Sequence, residues 1–106
     1  MGNDEKLKKQ LQRASQASGE KLWPMPSGDE YLEEMKSKIA DLKNVGSKWG
    51  GACTAAAFLG QFATDAKWAH IDMDGDMFGS GEAFERSGSR GFGVRLLTTY
   101  LMNLGK

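Results

Sequence analysis

The sequence predicts a mostly helical α+β fold of about four helices with one short strand, in a single domain spanning residues 1–106. Three observations carry this. Apolar residues recur at helical spacing in several segments; one stretch, "KWAHIDM", is short and apolar-flanked like a strand; and glycine or proline marks the ends of the segments. A chain of 106 residues buries roughly 60–70% of its unfolded surface, enough for a modest core.

The first helix starts from Asn3 or Asp4 as cap, carries Leu7, Leu11 and Ala14 as a narrow apolar stripe, and stops at Gly19. Trp23, Pro24 and Pro26 then impose an extended connection, because proline lacks the amide proton a helix needs and disfavours helix in the residue before it. Ser27 with Glu30 forms a capping-box pattern opening a second helix, with Tyr31, Met35, Ile39 and Leu42 on one face and an end near Asn44–Gly46. The third segment, "GGACTAAAFLGQFATD", is dense in small residues and reads as a buried central helix able to lie close to a neighbouring backbone. "KWAHIDM" follows as a strand with no ladder partner evident in the chain, so pairing with a second copy is expected. A last helix presents Leu97, Tyr100, Leu101 and Leu104 to the core. There is no internal repeat or low-complexity tract.

Fourteen basic and fourteen acidic residues cancel, so no global field draws the protein to a nucleic-acid polymer or an anionic membrane. No apolar run approaches a membrane span, the start "MGNDEKLKKQ" lacks the apolar core of a signal peptide, and the single Cys53 builds no disulfide framework. A cytoplasmic protein is expected, with Cys53 as a small buried thiol. Trp23, Trp49 and Trp68 read as wedges between helices, the six methionines as core filler, and the lysines at 6, 8 and 9 as a solvated helix face.

Several stretches read together as something wider. "SGEKLWPMP", "DEYLEEMKSKIADLKNVG", "GGACTAAAFLGQF", "WAHIDM" and "GFGVRLL" stand in an order and near a spacing that resembles the C-terminal end of the leucyl aminopeptidases, the cytosolic dinuclear-zinc peptidases, over residues 3–106. The resemblance implies helices packed behind a large sheet, one strand of that sheet, and a loop after the strand that helps floor the pocket for the substrate side chain. In the family the metal ligands and the catalytic lysine and arginine lie upstream, the arginine in an "NTDAEGR" motif that this sequence does not contain. Positions 74–77 match the pocket loop, where the family usually reads "DIAG" followed by apolar or small residues. Here Asp72-Met73-Asp74-Gly75-Asp76-Met77 puts two extra carboxylates into an apolar wall.

On an extended segment side chains alternate, so His70, Asp72 and Asp74 share a face, joined by Asp76 if the extension persists through Gly75. One imidazole with two or three carboxylates is a hard nitrogen–oxygen donor set suited to a divalent Zn, Mn or Mg ion. The alternative is that His70 and Asp72 are structural residues shared with the family and that Asp74 and Asp76 are solvated. An EF-hand is excluded, since "DMDGDMFGSGEA" has Met77 where the turn glycine belongs and Ala83 where the bidentate glutamate belongs. Ahead of the last helix, "RSGSRGFG" offers glycine amides, a helix N-terminus, Arg90 and Arg95 to an anion, or else is a glycine-rich turn that lets the helix pack.

Two functions from different classes are expected from these features. In the first, a metal-dependent hydrolase of a small phosphodiester, a cyclic nucleotide such as cAMP among the candidates, holds its ion through His70, Asp72, Asp74 and Asp76. His70 and Arg90 act in catalysis, and Ser89, Arg90, Gly91 and Arg95 steady the small anionic substrate. The second is a non-catalytic aminopeptidase remnant that serves as an oligomerisation or interaction module. Either way a homodimer or higher homo-oligomer is expected, formed by antiparallel pairing of two "KWAHIDM" segments.

Overall fold

The protein is described by a computed structural model over residues 1–63, 65–73, 78–79 and 88–105. It is mostly helical α+β, with helices α1 (Glu5–Ser18), α2 (Asp29–Glu33), α3 (Gly51–Gly60) and α4 (Val94–Asn103), and a short antiparallel pair, β1 (Phe78–Gly79) with β2 (Gly88–Ser89). Residues group into two compact units. One holds 1–8 and 23–71, the other 9–22 and 72–106.

In the first unit the start of α1 is fixed as the sequence suggests. Asp4 Oδ1 accepts the Leu7 amide at 2.6 Å, taking one of the donors that a helix start leaves unsatisfied. Helix α2 departs from expectation. Gly28, not Ser27, is its cap, no side chain caps it, and it ends at Glu33 instead of running to residue 44. The cause is local: the Ser37 hydroxyl accepts the amides of Ile39 (3.2 Å) and Ala40 (3.1 Å), giving the backbone a turn that competes with further helix. The chain then doubles back so that Lys43 N–H reaches the Met35 carbonyl at 2.6 Å and Lys36 bridges Leu42. Met35 is buried, while Ile39, expected on the same buried face, is 98% exposed.

Helix α3 packs on α2 and buries Cys53, Thr54 and Ala56, as its small residues predict. Gly46 lies so close that a Cβ there would sit 3.1 Å from the Thr54 side chain and 3.2 Å from the Met35 sulfur.

The segment expected to be a strand does have a partner within the chain. Asn3 N–H donates to the Trp68 carbonyl at 3.1 Å, His70 N–H to the Met1 carbonyl at 3.0 Å, and Gly2 bridges Ala69 antiparallel. Gly2 is needed for this approach, since a Cβ there would fall 2.5 Å from the Trp68 oxygen. The Asn3 side chain adds two bonds, donating to the Ala66 carbonyl (2.8 Å) and accepting the Trp68 amide (2.7 Å). The backbone groups of Trp68 and His70 are thus paired within the chain.

In the second unit Leu11, Ala14 and Ser15 of α1 are buried, and the helix ends at Gly19 with a φ of 76°. On α4 the buried residue is Leu96, while Leu97, Leu101 and Leu104 of the expected core stripe are exposed. Of the tryptophans read as wedges, Trp23 and Trp49 are exposed and Trp68 is half-buried. Among the described residues, no helix is long and apolar enough to cross a membrane.

Candidate functional site

The α4 N-terminus is the best-defined polar centre of the second unit. Its cap, Gly93, has a φ of 96° and contributes no side-chain bond, so the first helical amides need acceptors from elsewhere. They find one in Glu20. The chain leaves α1 tethered by its own hydroxyls, with Ser15 Oγ accepting the Leu22 amide at 2.8 Å and Ser18 Oγ the Glu20 amide at 3.3 Å. This delivers the Glu20 carboxylate to α4, where Oε2 accepts the Gly93 amide (3.0 Å) and the Leu96 amide (2.9 Å), and Oε1 accepts Arg95 Nε (3.4 Å). The side chain is 3% exposed. Burial pushes its pKa up, but the Leu96 and Gly93 amides and the Arg95 guanidinium more than offset this and hold it below the ordinary carboxylate value.

The α4 N-terminus thus holds an anion, and that anion is internal. Arg95 is committed to Glu20, the Gly91 amide donates to Ser89 Oγ at 3.2 Å, and Ser89, Arg90 and Gly91 are exposed. A second anion at the amides of Gly93 and Leu96 would displace the Glu20 carboxylate or meet its charge. Glu20 was not singled out from sequence. Glutamate is rarely buried, and nothing local in "SGEKLWP" points to a helix start more than seventy residues away.

Of the acidic row, His70 and Asp72 are described; Asp74 and Asp76 lie outside the described residues. The His70 ring stacks on Trp68 with centroids 6.2 Å apart, and its Nε2 is buried without a hydrogen-bond partner among the described residues. Asp72 is exposed. Among the described residues no three His, Cys, Asp or Glu side chains converge to hold a metal ion. Beside Trp68, an open cavity of about 300 Å³ is lined by Asn3, Asp29, Leu32, Cys53 and Gln61 among others.

The profile of the cytosol aminopeptidase family, catalytic domain, matches residues 1–98. The chain belongs to the cytosol aminopeptidase family. It is 43% identical over 104 residues to a probable cytosol aminopeptidase of Nostoc punctiforme, covering 97% of this chain and 21% of that protein. A probable cytosol aminopeptidase of Geobacter sulfurreducens is 49% identical over 102 residues, again 21% of its length. A solved tomato leucine aminopeptidase mutant superposes with a TM-score of 0.86 at 36% identity, over 95% of this chain and 19% of the other. The chain thus spans about a fifth of the length of the aminopeptidases it matches.

Membership of this family overturns the phosphodiester-hydrolase reading in which His70 and Arg90 were catalytic and Ser89, Arg90, Gly91 and Arg95 held a phosphate. The family is one of peptidases. The physical error lay in treating a helix N-terminus flanked by arginine as open to an external anion when a distant carboxylate already filled it.

Proposed function

We propose that the chain works as one segment of an aminopeptidase catalytic domain, supplying supporting helices and the loop that floors the pocket for the substrate side chain, while residues outside these 106 carry out hydrolysis. The observation that supports this is the family match over residues 1–98, joined to a structural likeness at TM-score 0.86 that spans about a fifth of the tomato enzyme. Any metal ion that such an enzyme uses would be held by other parts of the domain.

The test is a chimaera in which this chain replaces the matching fifth of the Geobacter aminopeptidase. The expected result is hydrolysis of leucyl p-nitroanilide by the chimaera and none by the 106-residue chain with Zn or Mn above a metal-only blank. Turnover by the isolated chain, or a folded chimaera without activity, would refute the proposal.

Asp74 and Asp76 refine the reading. Carboxylates in a pocket wall attract a cationic side chain, so the chimaera should prefer lysyl or arginyl over leucyl substrates, and Asp74→Ala with Asp76→Ala should reverse the preference. An unchanged ratio of kcat/KM for lysyl and leucyl amides after the double substitution would count against a pocket role for these two residues.

A further inference from the structure

We propose that Glu20 is the positioning residue of the pocket loop, an internal carboxylate whose charge locks the chain where that loop returns to the fold. This rests on the reading above, in which the loop from residue 74 onward meets the substrate side chain. The geometry carries it as follows. Among the described residues beyond Met73, β1 pairs with β2, and Ser89–Gly93 leads from β2 into α4. Its return end has no side-chain cap of its own. What fixes that end is one carboxylate receiving two backbone amides three residues apart, Gly93 at 3.0 Å and Leu96 at 2.9 Å, with Arg95 at 3.4 Å on its other oxygen.

A buried carboxylate is costly unless it is hydrogen-bonded, and here two amides and a guanidinium are directed at the ionised form. Protonation removes the charge at which the Gly93 and Leu96 amides and the Arg95 guanidinium are directed, and so weakens all three bonds. The charged group bearing on Glu20 is Arg95, from the first turn of α4. The α1 side brings the hydroxyls of Ser15 and Ser18, bonded to backbone amides, and the turn side brings Gly91 and Gly93. Because the carboxyl is held below its ordinary value, the clamp is fully present above the unfolded-state pKa and is lost as pH falls through the folded-state one.

The experiment follows the amides of Gly93 and Leu96 in the ¹⁵N-labelled 106-residue chain across pH, in wild type, Glu20→Gln and Glu20→Asp. Expected in wild type is a step in both shifts below the ordinary carboxylate pKa, with amide exchange rising about tenfold beyond its intrinsic pH dependence across it. Glu20→Gln should abolish the step and Glu20→Asp should restore one, with the α3 amides unaffected. Wild-type shifts without a step would overturn the clamp, whether or not Glu20→Gln folds. In the chimaeric aminopeptidase, Glu20→Gln should raise KM severalfold with little change in kcat, and Glu20→Asp should recover part of it. An unchanged KM in an active chimaera would overturn the pocket role while leaving the aminopeptidase reading standing.

Discussion

Replacing Asn3 by alanine tests how residues 68–70, which lead into the pocket loop, are held. The Asn3 side chain makes two bonds across that contact. Its Nδ2 donates to the Ala66 carbonyl at 2.8 Å and its Oδ1 accepts the Trp68 amide at 2.7 Å, both at exposed positions. An intramolecular hydrogen bond contributes about 0.5–1.5 kcal/mol net, and exposure lets water replace each partner, so the two together are worth about 1–2 kcal/mol. For a chain of this size that corresponds to a fall in Tm of roughly 5–15 °C. Circular dichroism melts of wild type, Asn3→Ala and Asn3→Asp give the comparison. Asn3→Asp keeps the acceptor for Trp68 and loses the donor to Ala66, so it should fall between the other two. Amide exchange at Trp68 should quicken in Asn3→Ala and much less in Asn3→Asp. A melting temperature unchanged in Asn3→Ala, or an Asn3→Asp protein less stable than the alanine variant, would refute this account of the contact.

Leu96→Ala removes a fully buried side chain and should cost about 2–5 kcal/mol, whereas Leu101→Ala, at a position 62% exposed, should stay within about 0.5 kcal/mol; urea unfolding of both separates them. Cys53 is a free, buried thiol, so an aromatic disulfide reagent should label it only at the rate at which the protein opens, and labelling as fast as that of a free thiol peptide would contradict its burial. The Asp4 carboxyl is held below its ordinary value, first by the Leu7 amide, so its contribution to α1 is present above the usual carboxylate pKa and lost as pH falls through the depressed one. Asp4→Asn should remove that acid step from the helical signal, and an unchanged acid profile would argue against the cap.

The fold class, α1 with its Asp4 cap and Gly19 stop, and the small-residue packing of α3 were legible in the sequence because each depends on local chemistry: an acceptor near bare amides, a glycine free to take positive φ, residues short enough for close approach. The length of α2 was not legible. Tyr31, Met35, Ile39 and Leu42 satisfy helical spacing, yet a single hydroxyl, Ser37, offered the backbone an alternative that periodicity does not weigh. The pairing of residues 68–70 was missed because its partner is the first three residues, too short to show a strand pattern. The site was half legible. Of the three donors around Glu20 only Arg95 had been named from sequence, the Gly93 and Leu96 amides had not, and the acceptor stands 73 residues before Gly93, where only the fold brings it.

The same limit explains the apolar residues at the surface. Val94, Leu97, Leu101, Met102 and Leu104 leave α4 apolar on the side that helical periodicity assigns to a core, and in the first unit Ile39, Val45, Trp49 and Phe62 are exposed as well. Single exposed apolar residues are ordinary, but several on one helix are a surface that water disfavours. Periodicity reports which face of a helix is apolar; it does not report what covers that face. The matched aminopeptidases are about five times as long as this chain, and the proposal that it is one segment of such a domain gives these faces something to pack against. Two kinds of residue can then be told apart by measurement. Those that hold the segment together, Leu96, Met35 and Asn3, should show their cost in the isolated chain. Those that join it to a larger body, Leu101 and Ile39 among them, should be silent there and become destabilising when replaced by charged residues in the chimaeric enzyme. If Leu101→Lys and Ile39→Lys left the melting temperature of the chimaera unchanged, these faces would be solvent-exposed in the larger protein too, and their apolar character would need another cause.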